Sequence, residues 1–388
     1  MVKIGVPKEV VEGETRVAAI PATVSDLKKL GGEVLIEKGA GQAASFSDAD
    51  YDKAGAIVVG DAAELYSQAD VILKVQPPTK HPGLNKHEVD LLKDEATLVG
   101  FLAPTTNREL VERLQQRRVT AFAMELIPRI TRAQSMDALS SMATVAGYKA
   151  VLLSTQYFGK FFPLLMTAAG TIPPANVFVL GAGVAGLQAI ATAKRLGARV
   201  EAFDVRKAAK EQIESLGARF IEMELPEDAE TAGGYAKEVS EEFVKKEMEA
   251  IGARLPRTDI LICTAQVFGK RAPLLVTADM VKTMRPGSVI VDLAAEQGGN
   301  CELTEPGKVI EKHGVTIVGP VNLPASLPVH ASQMYAKNVA NFVVHIYGAE
   351  DRTLNFEDEI TQSACVTHRG ELVSAIVKNA LGEGGTKS

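Results

Sequence analysis

The stretch Asn176 to Asp204, NVFVLGAGVAGLQAIATAKRLGARVEAFD, decides how the rest of the chain is read. Val177-Phe178-Val179-Leu180 is a short apolar run of strand formers, and Leu187 to Leu196 carries the pattern of a helix. Between them stands Gly181-Ala182-Gly183-Val184-Ala185-Gly186, so the order is strand, glycine turn, helix. Gly197 ends the helix where a left-handed residue is wanted, and Val200-Glu201-Ala202-Phe203 restarts an extended run that finishes on Asp204. In such a turn Gly181 makes the sharp bend, Gly183 lets backbone approach a pyrophosphate, and Gly186 lets helix and strand pack closely. The helix start at Val184 and Ala185 then offers unpaired N–H groups to phosphates. A carboxylate at Asp204 accepts hydrogen bonds from an adenosine ribose and repels a 2′-phosphate, which points to NAD(H). Arg206 argues the other way, because a guanidinium pairs with phosphate; the strand-end position of the acid favours NAD(H). Glycine turns also serve structure alone. Here the strand before, the helix after and the acid ending the next strand together make a dinucleotide site.

Composition sets the bounds. With 388 residues and 46% hydrophobic content, the chain can bury a large core and is long enough for two domains. A formal net charge of −6 leaves no basic footprint for nucleic acid or an anionic membrane. The three cysteines, Cys263, Cys301 and Cys365, have no CxxC spacing, so neither a disulfide framework nor a zinc site is expected and the chain reads as intracellular. No secretory signal pattern precedes Ile4-Gly5-Val6.

Outward from the glycine turn, short apolar runs alternate with helical patterns. Before it come Ile4 to Val6, a helix opening at Pro21, then Val34 to Ile36, Ala56 to Val59, Val71 to Val75, Thr97 to Leu102, a helix Asn107 to Arg117, and Val119 to Ala123. This βαβ order predicts a parallel sheet, yet Pro7-Lys8-Glu9 stands where a phosphate loop would follow the first strand. Ala138 to Ala169 is mostly apolar but interrupted by Lys149, Gly159 and Lys160, too broken for the roughly 20 apolar residues of a membrane span. It is expected to be a buried helix bridging two domains. After the glycine turn, strands are expected at Phe220-Ile221, Asp259 to Cys263, Ser288 to Leu293 and Val315 to Val318. Thr231 to Tyr235 is either a mobile flap or a solvated loop. Pro320, Pro324 and Pro328 suggest a domain crossing, with a helix from Ala331 to Tyr347 beyond. The expected division is 1–138 together with 329–388, and 139–328.

Catalytic constellations are scarce. The six histidines show no metal spacing, and no GxSxG elbow, HExxH or Walker loop appears, so no metal ligands are assigned. Hydride transfer between two nicotinamides needs no acid or base, only two rings held face to face with water kept out.

Met124-Glu125-Leu126-Ile127-Pro128-Arg129-Ile130-Thr131-Arg132-Ala133-Gln134-Ser135-Met136-Asp137 carries the most specific resemblance in the chain. It closely resembles the loop that positions the nicotinamide half of NADH in the NAD(H)-binding alpha-subunit domain of the proton-translocating NAD(P) transhydrogenase family. Gly181 to Gly186, Asp204-Val205-Arg206, Thr231 to Tyr235 and Asp292 to Asn300 match as well, and the resemblance covers almost the whole chain. It implies an α/β fold of two Rossmann-like, doubly wound parallel-sheet domains linked by long helices. It further implies that Arg129, Gln134, Asp137 and Ser140 surround the nicotinamide ribose and carboxamide. The cofactor-binding set becomes Gly181, Gly183, Val184, Ala185, Gly186, Asp204, Val205, Arg206, Gln266 and Tyr235, the last on a loop that closes over NAD(H). With one dinucleotide loop and no span, the chain reads as one component. The implied partners are a second copy in a homodimer, an NADP(H)-binding beta-subunit domain and a membrane-spanning subunit, with the chain cytoplasmic and peripheral at the inner face of the membrane. As alternatives to Arg129 and Asp137 contacting nucleotide, the two could pair with each other at a domain seam. The same fold serves alanine dehydrogenase, the rival reading, since Arg16 and Lys74 stand where that relative holds its keto acid. There, however, a catalytic histidine lies in the stretch that here reads Val99-Gly100-Phe101-Leu102-Ala103. A third reading is a non-catalytic NAD sensor.

Overall fold

The computed structural model describes residues 2–222, 241–267, 269–348 and 354–382, and for 241–243 the backbone only. The chain forms two compact units, Met1–Met142 with Ala325–Ser388, and Ala143–Pro324.

In the first unit an eight-stranded sheet runs in the order Glu371–Leu372, Cys365–His368, Thr120–Ala123, Thr97–Gly100, Val71–Leu73, Lys3–Val6, Glu33–Glu37, Ile57–Val59. The six strands from the first half of the chain are parallel, in chain order 3-2-1-4-5-6, the doubly wound arrangement. Val71–Leu73 and Thr97–Gly100 are buried along their whole length, as helices on both faces of a parallel sheet require. Helix starts follow local chemistry: Asp61 caps Ala62–Gln68 and Asn107 caps Arg108–Gln116, each by accepting a backbone N–H. The two C-terminal strands pair antiparallel, through an Arg369-Gly370 turn in which both residues have positive φ.

The second unit holds a seven-stranded sheet in the order Arg219–Phe220, Arg199–Phe203, Asn176–Leu180, Ile260–Cys263, Val289–Asp292, Val315–Val318, Val309–Lys312. All pairs are parallel except the last. That edge strand was not expected, because its residues are mostly exposed and alternate too weakly to signal a strand. It forms through a His313-Gly314 turn with φ of 55° and 74°. Strand order reverses between Asn176–Leu180 and Ile260–Cys263, so the ligand crevice of this unit lies beyond Leu180 and Cys263.

Two expectations need correction. The apolar stretch from Ala138 is not helical to Ala169: the helix is Ala138–Tyr157, and a two-stranded hairpin, Leu165–Thr167 with Gly170–Ile172, follows. Gly159 and Pro163 disfavour continuation, and Lys160 turns to an ion pair with Asp259 at 3.2 Å. The last long helix starts at Pro328, not Ala331, with proline in the first turn, where its missing N–H costs nothing.

Candidate functional site

In the second unit the glycine turn is built as its residues dictate. Gly181 has φ +89°, and its N–H donates to the Phe203 carbonyl at 2.8 Å, tying the turn to the neighbouring strand. A Cβ on Gly186 would stand 1.9 Å from the Gly181 carbonyl oxygen, so only glycine lets the helix Val184–Arg195 start this close to the strand. Gly183 is exposed, and a Cβ there would meet nothing within 4 Å. That open side, below the first N–H groups of the helix at Val184 and Ala185, fits a pyrophosphate.

Asp204 closes the turn from the next strand. Its carboxylate accepts from Ala182 N at 2.6 Å, Arg206 N at 2.8 Å, and Arg206 Nε and Nη2 at 2.9 Å each. Arg206 therefore grips the acid rather than standing apart from it, while Val205 is partly buried between them. Glu247, buried in the helix Glu241–Gly252, adds a second acid beside this pair. Burial first, then the charge of Asp204, pushes its carboxyl up to about 7. Sequence reading missed Glu247, since a glutamate in a charged helix looks solvated.

The other wall of the crevice follows Cys263. Thr264 Oγ1 donates toward the carbonyls of Leu180 and Gly181, at 3.1 and 3.0 Å. Gln266 is exposed, with its amide nitrogen 2.7 Å from the Leu293 carbonyl. The matching segment Asp292 to Asn300 supports this wall. Asp292 accepts from Ala294 N, Asn300 N, Cys301 N and Thr304 Oγ1, and the Asn300 amide bonds both N and O of Ala265.

The loop with the most specific resemblance lies in the first unit. Thr131–Met136 is a short 3-10 turn; Ala133 and Met136 are buried beneath it, and Arg129 and Gln134 are exposed. Asp137 accepts from Ser140 N at 2.8 Å and Ser140 Oγ at 2.6 Å, so the two cap the helix Ala138–Tyr157 as they face outward in part. Upstream, the partly buried Glu125 receives Leu102 N at 2.9 Å and Ala103 N at 2.5 Å, holding the bend after Phe101, where Ala103 has φ +48°. Tyr235 lies outside the described residues, as does the rest of Thr231 to Tyr235.

The reversal of strand order in the first unit falls between Lys3–Val6 and Val71–Leu73. The chain's own charges occupy it. Lys74, 0% exposed, lies 2.8 Å from Glu88 and 3.2 Å from Glu9, and Arg16 lies 2.6 Å from Glu14. Burial alone would draw the Lys74 ammonium down, but Glu9 and Glu88 outweigh it and hold it above its ordinary value. Glu14 falls to about 2, Arg16 overcoming the cost of burial. An adjoining cavity of about 290 Å³ is lined by Glu9 and Glu14 as well as Arg16. These residues are far apart in the chain, and only Arg16 and Lys74 were singled out from sequence. Among the described residues no His, Cys, Asp or Glu group is arranged to hold a metal.

Fold and site together define a dinucleotide-binding α/β protein of two doubly wound units. The chain belongs to the alanine dehydrogenase/PNT family, whose N-terminal domain model matches residues 5–146 and whose C-terminal domain model matches 150–375. It is 54% identical over 376 residues to an NAD(P) transhydrogenase subunit alpha chain of Rhodospirillum rubrum, covering 96% of this chain and 97% of that protein. A transhydrogenase crystal structure from Sinorhizobium meliloti superposes with a TM-score of 0.86 at 44% identity, covering 96% and 100% of the two chains. An L-alanine dehydrogenase structure gives a TM-score of 0.82 at 30% identity, covering 98% and 99%.

Proposed function

We propose that the chain is the NAD(H)-binding component of a proton-translocating NAD(P) transhydrogenase, passing hydride between NADH and NADP⁺ held by a partner subunit. The observation that carries this reading is the state of Lys74. Reduction of a keto acid needs a group that gives up a proton, and the ideal donor titrates near the working pH. Lys74 is fully buried between two carboxylates that hold its proton more tightly, and Phe101, at the end of the strand where the rival reading needs a histidine, has no titratable group. A keto-acid carboxylate entering beside Arg16 would also meet Glu9 and Glu14. Transfer between nicotinamides needs none of this chemistry. The similarity to the Rhodospirillum rubrum NAD(P) transhydrogenase subunit alpha chain, nearly end to end, supports the same reading.

In this reading the bound nucleotide supplies a hydride donor at its nicotinamide ring. The residues of the chain bind and orient it. The Gly181–Gly186 turn and the amides of Val184 and Ala185 take the pyrophosphate, and Asp204 with Arg206 reads the adenosine ribose. Arg129, Gln134, Asp137 and Ser140 set the nicotinamide half, and Gln266 and Tyr235 complete the nucleotide contacts. The transfer is Re/Si-specific, its NADP(H) lies on the beta-subunit domain, and coupling to protons runs through the membrane-spanning subunit. Among the described residues no helix is long and apolar enough to cross a membrane, consistent with attachment at the inner face through those partners. We also propose a homodimer, supported by exposed apolar side chains around the hairpin: Phe161 at 56%, Leu164 at 53% and Met166 at 81%.

The test is direct. The purified chain is incubated with NADH, ammonia and a panel of keto acids, and separately with NADH, an NADP⁺ analogue and the NADP(H)-binding component. Hydride transfer only in the second mixture supports the proposal; keto-acid reduction by the chain alone overturns it.

A further inference from the structure

We infer that Asn338 and Asn341 are positioning residues for the turn that carries Gln134 and Asp137. Both lie on the helix Pro328–Tyr347, three residues apart and so on one face. Both point their amide nitrogens at a single atom, the Ser135 carbonyl oxygen, at 2.9 and 3.0 Å. Ser135 sits directly between Gln134 and Met136, inside the 3-10 turn Thr131–Met136. Within the turn the Ala133 N–H donates to the Ile130 carbonyl at 3.0 Å. Its N-cap residue Ile130 makes no side-chain cap, and its end is closed by the Asp137 N–H to the Gln134 carbonyl at 3.3 Å.

The environment of Asn338 shows that the amide is there for its N–H donors. It is 7% exposed, and its Oδ1 is buried with no hydrogen-bond partner among the described residues. An apolar side chain of similar size would avoid burying that oxygen, so packing alone does not account for an asparagine. Flipping the amide would set its oxygen against the Ser135 oxygen, which fixes the orientation. Asn341 is only partly buried, yet it reaches the same carbonyl. Two donors on one acceptor restrain a backbone more tightly than one, and the restrained atom is one residue from Gln134 and two from Asp137.

The inference rests on the proposed role of Gln134 and Asp137 at the nicotinamide. Reacting atoms misplaced by about 1 Å lose on the order of a hundredfold in rate, so a loosened turn slows transfer while leaving the phosphate and adenosine contacts of the second unit untouched. The test replaces Asn341→Leu, Asn338→Leu and both together in the full chain. Readouts are NADH affinity by fluorescence quenching, single-turnover transfer to the NADP-loaded partner component, thermal midpoint, and the rate of tryptic cleavage after Arg132.

The expected result for the double variant is transfer slowed by about tenfold or more, with NADH affinity changed by less than about twofold, faster cleavage after Arg132, and a thermal midpoint equal to or above that of the unaltered chain. Asn341→Gln, which keeps a donor on a longer arm, recovers part of the rate. If the double variant does not fold, Asn341→Leu, at the less buried of the two positions, carries the same comparison. Unchanged transfer, or affinity and thermal midpoint falling together with rate, overturns the inference and leaves the transhydrogenase reading standing. An unaltered chain that transfers no hydride to a loaded partner overturns that reading and this inference with it.

Discussion

Arg206 and Asp204 form a two-pronged ion pair, Nε to Oδ1 and Nη2 to Oδ2, each 2.9 Å. Only 6% of the acid's side chain and 21% of the arginine's are exposed, so the pair is partly desolvated and bidentate, the geometry in which such pairs are strongest. A guanidinium engaged in this way is not available to a 2′-phosphate, and the acid beside it repels one. The chain is therefore expected to prefer NADH over NADPH by about 2–3 kcal/mol, the order of burying an unpaired charge. Asp204→Asn removes the repulsion and releases the arginine, and should bring the two affinities within about tenfold. Equilibrium dialysis with both nucleotides decides it: equal affinities for the unaltered chain would show that the pair does not select.

Glu247 should make the stability of the second unit depend on pH near neutrality. Its carboxyl is raised from 4.5 to about 7, by burial and then by Asp204. A raised acid favours the folded state while it is protonated. That contribution is complete below 4.5, declines as pH rises from there, and is gone once pH passes about 7. The shift corresponds to about 3 kcal/mol as an upper figure. Glu247→Gln should flatten the profile and raise stability at about pH 8, read from urea unfolding at about pH 5.5 and pH 8. A variant with the same pH slope as its parent would place the titrating group elsewhere.

Gln134→Asn shortens an exposed side chain by one methylene without changing its chemistry. If Gln134 orients the nicotinamide carboxamide, hydride transfer should fall by on the order of a hundredfold, while NADH affinity falls by about threefold or less. Parallel loss of rate and affinity would mean that the residue binds and does not orient.

The difference between what could be read in the chain and what could not follows from distance along it. The glycine turn, the acid at Asp204 and most strands of both sheets are local signals, an apolar run beside a turn residue, and they were legible. The hairpin Leu165–Ile172 was not, because its apolar residues extend the pattern of the preceding helix and Met166 gives no sign of being 81% exposed. The charge cluster of the first unit joins Glu9, Glu14, Arg16, Lys74 and Glu88 across 79 residues of chain, so no window of sequence contains it. Arg206 stood two residues from Asp204, yet sequence left open whether it faced phosphate or carboxylate; only side-chain geometry decides that.

Lys74 offers a stability test that is separate from function. Lys74→Met leaves Glu9 and Glu88 buried without their cation, and breaking a buried pair this way costs about 3–5 kcal/mol. Glu88→Gln, which keeps a hydrogen-bond acceptor for Tyr66 Oη and Lys74, should cost less. Guanidinium unfolding ranks the two; the reverse ranking would mean that the lysine is not what holds the cluster.

The remaining prediction concerns the docking of the partner. Arg132 is 61% exposed on the turn beside Gln134, and its Nη1 lies 3.2 Å from Asp358 Oδ1. Asp358 is held well below the usual carboxylate range: burial opposes ionisation, but His345, the Thr361 N–H and Arg132 together prevail. It therefore stays charged at any working pH and keeps Arg132 directed along the rim of the turn. A glutamate at 132 would confront Asp358 and disturb the turn itself, so Arg132→Ala is the cleaner substitution. It removes one exposed positive charge and leaves the glycine turn, Asp204 and Gln134 intact. If the NADP(H)-binding component docks on this rim, Arg132→Ala should weaken its binding by about threefold to tenfold, more at low salt than at high, because rim charges act through screened, long-range attraction. NADH affinity should stay the same, and the transfer rate at saturating partner should stay within about twofold of the parent. Titration of the partner at two ionic strengths, following transfer to an NADP⁺ analogue, separates the cases. An unchanged partner affinity would move the docking face away from Arg132, and a loss of rate at saturation would assign the residue to the nicotinamide turn.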